Sequence, residues 1–363
     1  MSTPWQITLQ TGWDEIEDPA FIEQWQRIMD GAENAHVFFH PVLVRVWLET
    51  YRPLRALQPL FVLASRGQQQ VVFPLVLWRR NAKNAFLRTI VPAGHSDFDY
   101  HDPIFLLPPN EDQVQSFYVA LKTELDKSVK YDSMMLDGMH NEFVPAYCKV
   151  VHEEPCLQWP LGSAELTEGL VLPAKKKLAK DALRRLRKLQ ELGEVTWLSY
   201  GKNDIDKAQQ SLAIMLRHHT NRWPNSYKAD GFHSSLVQVG IEAGIINFTE
   251  VVFDDKPIAW QIGFNYKGVL SHYMPAIDPE FSNYSPGHVS LGHMLARGKD
   301  RGASIVDHLR GAEAYKSAWG GSETLIYDVI FENTALSSRI FLALFSLLRR
   351  VKALRTRLQQ KQQ

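Results

Sequence analysis

Three strand-like runs in close succession, residues 246–253, 257–266 and 268–275, precede a helix that opens at Pro286-Gly287 and reaches about Lys299. A further short strand follows at residues 305–309. This order constrains the fold more than any other feature of the chain. A meander of strands makes an antiparallel sheet, whereas a strand–helix–strand connection brings the chain back to the same sheet by a crossover. A chain that does both builds a mixed sheet with helices on its two faces. The flanking pattern agrees. Helices are expected at 205–219 and about 234–243 before the meander, and a short helix at 314–319 with a last strand at 325–331 after the crossover. Upstream, residues 175–192 space Leu178, Ala182, Leu186, Leu189 and Leu192 as one helical face, ended by Gly193 and followed by a strand at 195–200.

The first half follows a similar but less regular order. A short strand at 6–9 leads to a helix carrying Phe21, Trp25 and Ile28, and a second helix at 41–50 carries Val42, Val46 and Trp47. Strands at 57–64 and 70–77 flank the turn residues Ser65-Arg66-Gly67. An acid-rich loop at 92–103, a helix at 114–125 and a strand at 133–136 close this part, and residues 151–174 read as a crossover. At 363 residues the chain exceeds one ordinary core. The expected domains are 1–160 and 170–335, with an amphipathic basic helix at 336–363 beyond them. The 45% apolar content and ten tryptophans are enough for two cores.

The zero net charge supplies no global field for a polyanion, so no nucleic acid is expected as a partner. With only Cys148 and Cys156 there is no disulfide framework, and no histidine spacing completes a zinc site, so no metal is expected. Free thiols, a start without a basic and then apolar leader, and no run of eighteen apolar residues point to a cytoplasmic protein. Several chemistries lack their motifs: there is no Gly-x-Ser-x-Gly elbow, phosphate loop, dinucleotide fingerprint or His-Glu-x-x-His.

The strongest local signal is Tyr284-Ser285-Pro286-Gly287 followed, twenty residues on, by the block Asp307-His308-Leu309-Arg310-Gly311-Ala312-Glu313-Ala314-Tyr315-Lys316-Ser317-Ala318-Trp319. In this pairing the chain resembles the acetyltransferase family associated with bacterial cellulose biosynthesis (CelD-like), within the GNAT superfamily. The resemblance extends to the basic helix at 175–192, to Arg222-Trp223 and to Pro257-Ile258-Ala259-Trp260, and so covers most of residues 170–335. The first half is similar more weakly, through Phe39-His40-Pro41 with Trp47 and through Ser96-Asp97-Phe98. The whole resembles the tandem arrangement of the peptidoglycan aminoacyltransferases. It implies two tandem GNAT-like α/β domains, the first degenerate, and acyl-CoA, such as acetyl-CoA, as co-substrate. The Arg/Gln-x-x-Gly-x-Gly/Ala loop usual at the helix start in that superfamily is absent here.

Within this resemblance the residues take expected roles. A helix opening at Ser285, Pro286, Gly287 and His288 exposes backbone N–H groups suited to a pyrophosphate. Asp307 and Glu313 lie astride a glycine turn, and a carboxylate there can deprotonate an acceptor amine. The same acids before a short helix also read as caps. Tyr315 is a candidate proton donor to the leaving thiolate, and Lys316 a candidate phosphate contact. His272 and Tyr273 are expected to line the cleft, with Arg222 and Trp223 near the acceptor.

The eight lysines and arginines of residues 175–188 face one aspartate. They read as a solvated face, or as a local field for an anionic acceptor or for CoA phosphates. The last helix, 337–358, carries Phe341, Leu344, Phe345, Leu348 and Val351 with Arg349, Arg350, Lys352, Arg355 and Arg357. It reads as packing on the second domain or as a peripheral membrane contact. The implied function is N- or O-acyl transfer to a cell-surface polysaccharide, a glycan precursor or a related small acceptor. Two alternatives stand beside it: transfer from a non-CoA aminoacyl donor, and a non-catalytic glycan- or partner-binding accessory protein on the same fold.

Overall fold

The apolar periodicities resolve into fifteen strands, eight α-helices and a further helical stretch from residue 336 in the computed structural model, which describes residues 4–79, 87–223, 229–344 and 346. The chain divides into two units. One comprises Met1–Pro41, Tyr51–Glu153 and Tyr327–Gln363, and the other Val42–Thr50 and Glu154–Ile326.

The first unit begins with β1 (Gln6–Gln10), α1 (Trp13–Ile16) and α2 (Pro19–Gly31). The Asp18 carboxylate accepts from the Ala20 and Phe21 N–H groups, and Pro19 occupies the first turn of α2, so local chemistry sets this start. Helix α3 (Pro41–Tyr51) follows, its middle clustering with the second unit. Next come β2 (Gln58–Arg66), β3 (Gln69–Arg79), β4 (Arg88–Pro92) and β5 (Ile104–Phe105). Helix α4 (Glu111–Ser128) starts with a reciprocal Asn110–Gln113 capping box and leads to β6 (Ser133–His140). The strand order is β1-β2-β3-β4-β6, with β5 on β3. All these pairs are antiparallel except β4–β6, which is parallel over only Thr89↔Ser133 and Ile90↔Met134. Beyond that point the acid-rich loop lies against β6. The His101 N–H reaches the Gly138 carbonyl at 3.3 Å, and Gly138, at φ 66°, comes so close to Asp99 that a Cβ would lie 1.9 Å from its carbonyl oxygen.

The second unit takes in the end of β7 (Lys149–Pro160), a small hairpin of β8 (Leu166–Thr167) and β9 (Leu170–Val171), α5 (Lys176–Gln190) and β10 (Val195–Ser199). Helices α6 (Ile205–Arg222) and α7 (Phe232–Glu242) precede the meander β11 (Ile246–Phe253), β12 (Lys256–Tyr266) and β13 (Val269–Ile277). Then come α8 (Pro286–Asp300), β14 (Ile305–Arg310) and β15 (Ser322–Glu332), which carries the chain back into the first unit. The meander turns are two residues long, Asp254-Asp255 and Lys267-Gly268, with positive φ at all four positions. That is the conformation whose twist matches a tight hairpin. The sheet order is β7-β14-β13-β12-β11-β10, with β13–β14 the parallel pair reached by the α8 crossover. The mixed α/β architecture follows the order read from the sequence.

Local differences have local reasons. The helix expected at 314–319 is a single 3₁₀ turn at Lys316–Ala318, too short for an α-helical hydrogen-bond ladder. Leu192 lies beyond the end of α5 and is exposed, while Ala182, Leu186 and Leu189 are buried. Residues 336–344 are helical, with Leu336, Ile340 and Leu344 exposed on one face. The expected contacts of Phe345, Leu348 and Val351, and the basic residues from Arg349 onward, lie outside the described residues. No helix among the described residues is long and apolar enough to cross a membrane.

Candidate active site

The parallel strands β13 and β14 pair over three positions, Val269↔Ile305, Leu270↔Val306 and Ser271↔Asp307, and then part. β13 continues for six more residues, to Ile277, while the opposite edge of β14 stays on β7, with a register shift between Asp307 and Arg310. The shift is visible in the backbone. Leu309 is buried at φ +57°, a left-handed conformation that costs a bulky residue of order 1–3 kcal/mol. Its N–H is held by Asp307 Oδ1 at 2.7 Å, and the other oxygen, Oδ2, accepts from Gln158 Nε2 at 2.9 Å.

Helix α8 begins at the far end of β13. Gly287 faces the end of β13, where a Cβ would meet Ile277 Cγ2 at 3.4 Å, about van der Waals contact. Ser285 stands at the N-cap in the left-handed region (φ 51°), without a side-chain cap. Pro286, which has no N–H, is buried in the first turn. The Ser285 N–H donates to the Ser282 carbonyl at 3.1 Å and the His288 N–H to the Ser285 carbonyl at 3.2 Å, so among the described residues the Gly287 N–H is the first-turn donor left for an external acceptor. Cationic character is added by α5: Arg185 Nη1 donates to the Asn283 carbonyl at 2.7 Å, and its charge adds to burial in lowering the half-buried His288 imidazole. Close approach of α8 to the hairpin depends on Gly292, where a Cβ would lie 2.3 Å from the Val171 carbonyl oxygen.

The loop after β14 brings the remaining candidates together. Glu313 is exposed, and its carboxylate pairs with Lys316 Nζ at 2.9 Å. Lys316, the expected phosphate contact, is 4% exposed and also donates to the Arg310 carbonyl, so its ammonium is engaged inside the loop. The Tyr315 ring lies 6.0 Å from His272. Burial, followed by the Glu313 charge, pushes the Tyr315 phenol above its ordinary range, and Arg222 pulls it back. Arg222 therefore acts on this loop, with its guanidinium 5.2 Å over the Trp223 ring at the end of α6.

The pair His272–Tyr273 is divided by strand alternation. His272 is 3% exposed and faces His308 across the parting strands, whereas Tyr273 packs on Phe264 at 5.0 Å. His272 is thus buried and engaged with His308 and Gln261, while Tyr273 lies on the other face of the strand. Asp307 is likewise buried, with both oxygens engaged, which suits an anchor for the strained turn rather than a free base. The sequence reading missed Trp159, Gln158, Gln261 and Ser290. Gln261 carried a usable signal, an amide in the middle of the apolar run from Ile258 to Phe264 of β12, where a polar group must find a partner. Among the described residues no cluster of histidine, cysteine and acid side chains could hold a metal.

Residues 176–317 match the family model described as an acetyltransferase (GNAT) domain, so the second unit carries an acyltransferase domain of that type. No curated protein matches the sequence. Among solved structures, FemX is 10% identical and covers 86% of this chain with 96% of its own, at a TM-score of 0.59. L-PGS from Bacillus licheniformis is 12% identical, with 90% of this chain and 96% of that one covered and a TM-score of 0.52. A conserved protein of unknown function from Bacteroides thetaiotaomicron is 11% identical, covering 90% and 99%, also at 0.52. At these identities the likeness is one of fold.

Proposed function

We propose that the second unit transfers an acyl group from acyl-CoA to an amine or hydroxyl acceptor. The observation that carries this reading is the parting of β13 from β14 after Ser271 and Asp307, with the uncapped start of α8 at the end of the same strand. An extended pantetheine arm fits beside the β13 edge as an added strand, and the pyrophosphate fits the helix N-terminus at Ser285, Pro286, Gly287 and His288. Glu313 takes a proton from the acceptor ammonium. The freed amine attacks the thioester carbonyl, the C–S bond breaks, the nitrogen loses its extra proton to solvent, and the thiolate leaves to be protonated by solvent. Tyr315, with its phenol held protonated, stabilises that thiolate by a hydrogen bond rather than by giving up its proton. Arg222 and Trp223 stand on the acceptor side, where a stacked guanidinium and indole suit a sugar or another polar small molecule.

A cell-surface polysaccharide or glycan precursor of the kind acted on by the cellulose-associated acetyltransferases is the acceptor class this supports. The exposed face at Leu336, Ile340 and Leu344 suits contact with a membrane where such precursors are held. A second reading, a non-CoA aminoacyl donor, rests on the tandem arrangement shared with the peptidoglycan aminoacyltransferases. Titration calorimetry with acetyl-CoA separates the two. The wild-type chain should bind it, and Gly287→Val should weaken binding more than folding, because the added methyls obstruct backbone approach at the helix start. No acetyl-CoA binding by the wild-type chain, or unchanged affinity in Gly287→Val, would overturn the acyl-CoA reading.

A further inference from the structure

At the apex of the parted strands the polar side chains form one continuous series. Trp159 Nε1 lies 3.0 Å from His308 Nε2, His308 Nδ1 lies 3.3 Å from His272 Nδ1, and His272 Nε2 lies 2.8 Å from Gln261 Oε1. Gln261 Nε2 then donates to Ser290 Oγ at 2.8 Å, and Ser290 Oγ to the Gly287 carbonyl at 3.1 Å. His308, His272, Gln261 and Ser290 are each no more than 3% exposed.

The direction of every bond is set by its first member. An indole N–H can only donate. Nε2 of His308 must therefore accept, which puts its proton on Nδ1. That N–H donates to Nδ1 of His272, whose own proton must then sit on Nε2 and point at the Gln261 oxygen. The Gln261 amide is oriented in turn, and its N–H₂ faces Ser290. A proton added to either ring would set two donors against each other. Both rings are held neutral, His308 at about 3 and His272 well below its ordinary value, first by burial. The ammonium of Lys316 and, for His272, the neighbouring His308 add to this.

We propose that this one-way series of hydrogen bonds fixes the first turn of α8 to the apex of the strands, making Trp159, His308, His272, Gln261 and Ser290 positioning residues for the acyl donor. The proposal rests on the acyl-CoA reading. The series runs from Trp159 on β7, through the point where β13 leaves β14, to the Gly287 carbonyl in the first turn of α8, and so links the two features that reading uses. Four elements, β7, β14, β13 and β12, are joined through it to α8, and none of these side chains needs to touch the donor.

Two readouts test it: imidazole ¹⁵N shifts in histidine-labelled protein, with His308→Gln and His272→Gln for assignment, and steady-state kinetics with acetyl-CoA. The wild-type protein should show His308 protonated at Nδ1 and His272 at Nε2, unchanged between pH 5 and 8. Trp159→Phe keeps a ring but removes the obligate donor, so mixed tautomers should appear, with KM for acetyl-CoA rising on the order of tenfold, the worth of one buried hydrogen bond, and kcat nearly unchanged. Ser290→Ala should raise KM similarly while leaving the tautomer of His308 intact, and it serves if Trp159→Phe does not fold. The reverse tautomers in the wild-type protein, or unchanged KM in both variants, would overturn the proposal. Failure of the wild-type chain to bind acetyl-CoA would remove the donor reading and the positioning role together, while the ¹⁵N pattern still reports on the hydrogen bonds themselves.

Discussion

Asp307 offers the sharpest separation between an anchor and a base. Its two oxygens satisfy Gln158 Nε2 at 2.9 Å and the Leu309 N–H at 2.7 Å, the latter holding a backbone already strained at φ +57°. Asp307→Ala removes both acceptors and leaves the buried Leu309 N–H and the half-buried Gln158 amide facing a small cavity. Hydrogen bonds to a charged group contribute about 1.5–3 kcal/mol each, so the loss is about 3 kcal/mol at the low end. With an unfolding entropy of about 2.1 cal/mol/K per residue, that lowers the melting temperature of a 363-residue protein by roughly 4 °C. Asp307→Asn keeps one carbonyl oxygen and turns an N–H₂ toward a donor, so about half of that loss is expected. Urea denaturation followed by tryptophan fluorescence gives the stability, and acetyl transfer at temperatures well below the transition gives the rate. An anchor predicts that activity falls in step with stability and that Asp307→Asn retains a substantial part of both. Wild-type stability in Asp307→Asn together with a loss of turnover of a hundredfold or more would refute this reasoning and return Asp307 to the chemistry.

Glu313→Gln should keep the fold and lose roughly 10²–10⁴-fold in kcat, the usual contribution of a general base; full activity would leave Glu313 as the partner of Lys316 alone. Gly292→Ala should destabilise the protein by about 1–3 kcal/mol in urea titrations, since the new methyl meets the Val171 carbonyl at 2.3 Å and backbone cannot step aside; an unchanged midpoint would contradict the packing of α8 on β9. Stability should fall on acidification. The folded protein keeps His308 neutral to about 3 and His272 neutral well below its ordinary value, whereas unfolded histidine takes a proton near 6.5, so the unfolded state binds more protons as pH drops. Each of the two contributes a slope of about 1.4 kcal/mol per pH unit between about pH 6 and 4. A flat or rising urea midpoint from pH 7 to 5 would exclude buried neutral imidazoles.

The mixed sheet and the meander were legible from the amino-acid order, because hydrophobic period and turn chemistry act over a few residues, whereas the tandem arrangement was implied by the family resemblance. The opening of α8 at Pro286, the strand content of β11, β12 and β13, and the buried stripe Ala182, Leu186 and Leu189 are all local in this sense. So was the block from Asp307 to Trp319 as a region of interest. Which of its side chains face solvent and which are spent on holding the loop was not legible. Lys316 and Glu313 are three residues apart and paired at 2.9 Å, yet Lys316 is buried and Glu313 exposed, because the Lys316 ammonium also turns inward to the Arg310 carbonyl. Trp159 meets His308, and Gln158 meets Asp307, across 149 residues of chain. Nothing in either segment names the other. Those partners follow from the antiparallel register of β7 on β14, and a slip of one residue would turn each side chain to the opposite face. Sequence alone determined the elements and their order, since those depend on near neighbours. Tertiary structure alone decided the tautomers, the burial of His272 and the commitments of Asp307, since these depend on which strand lies alongside.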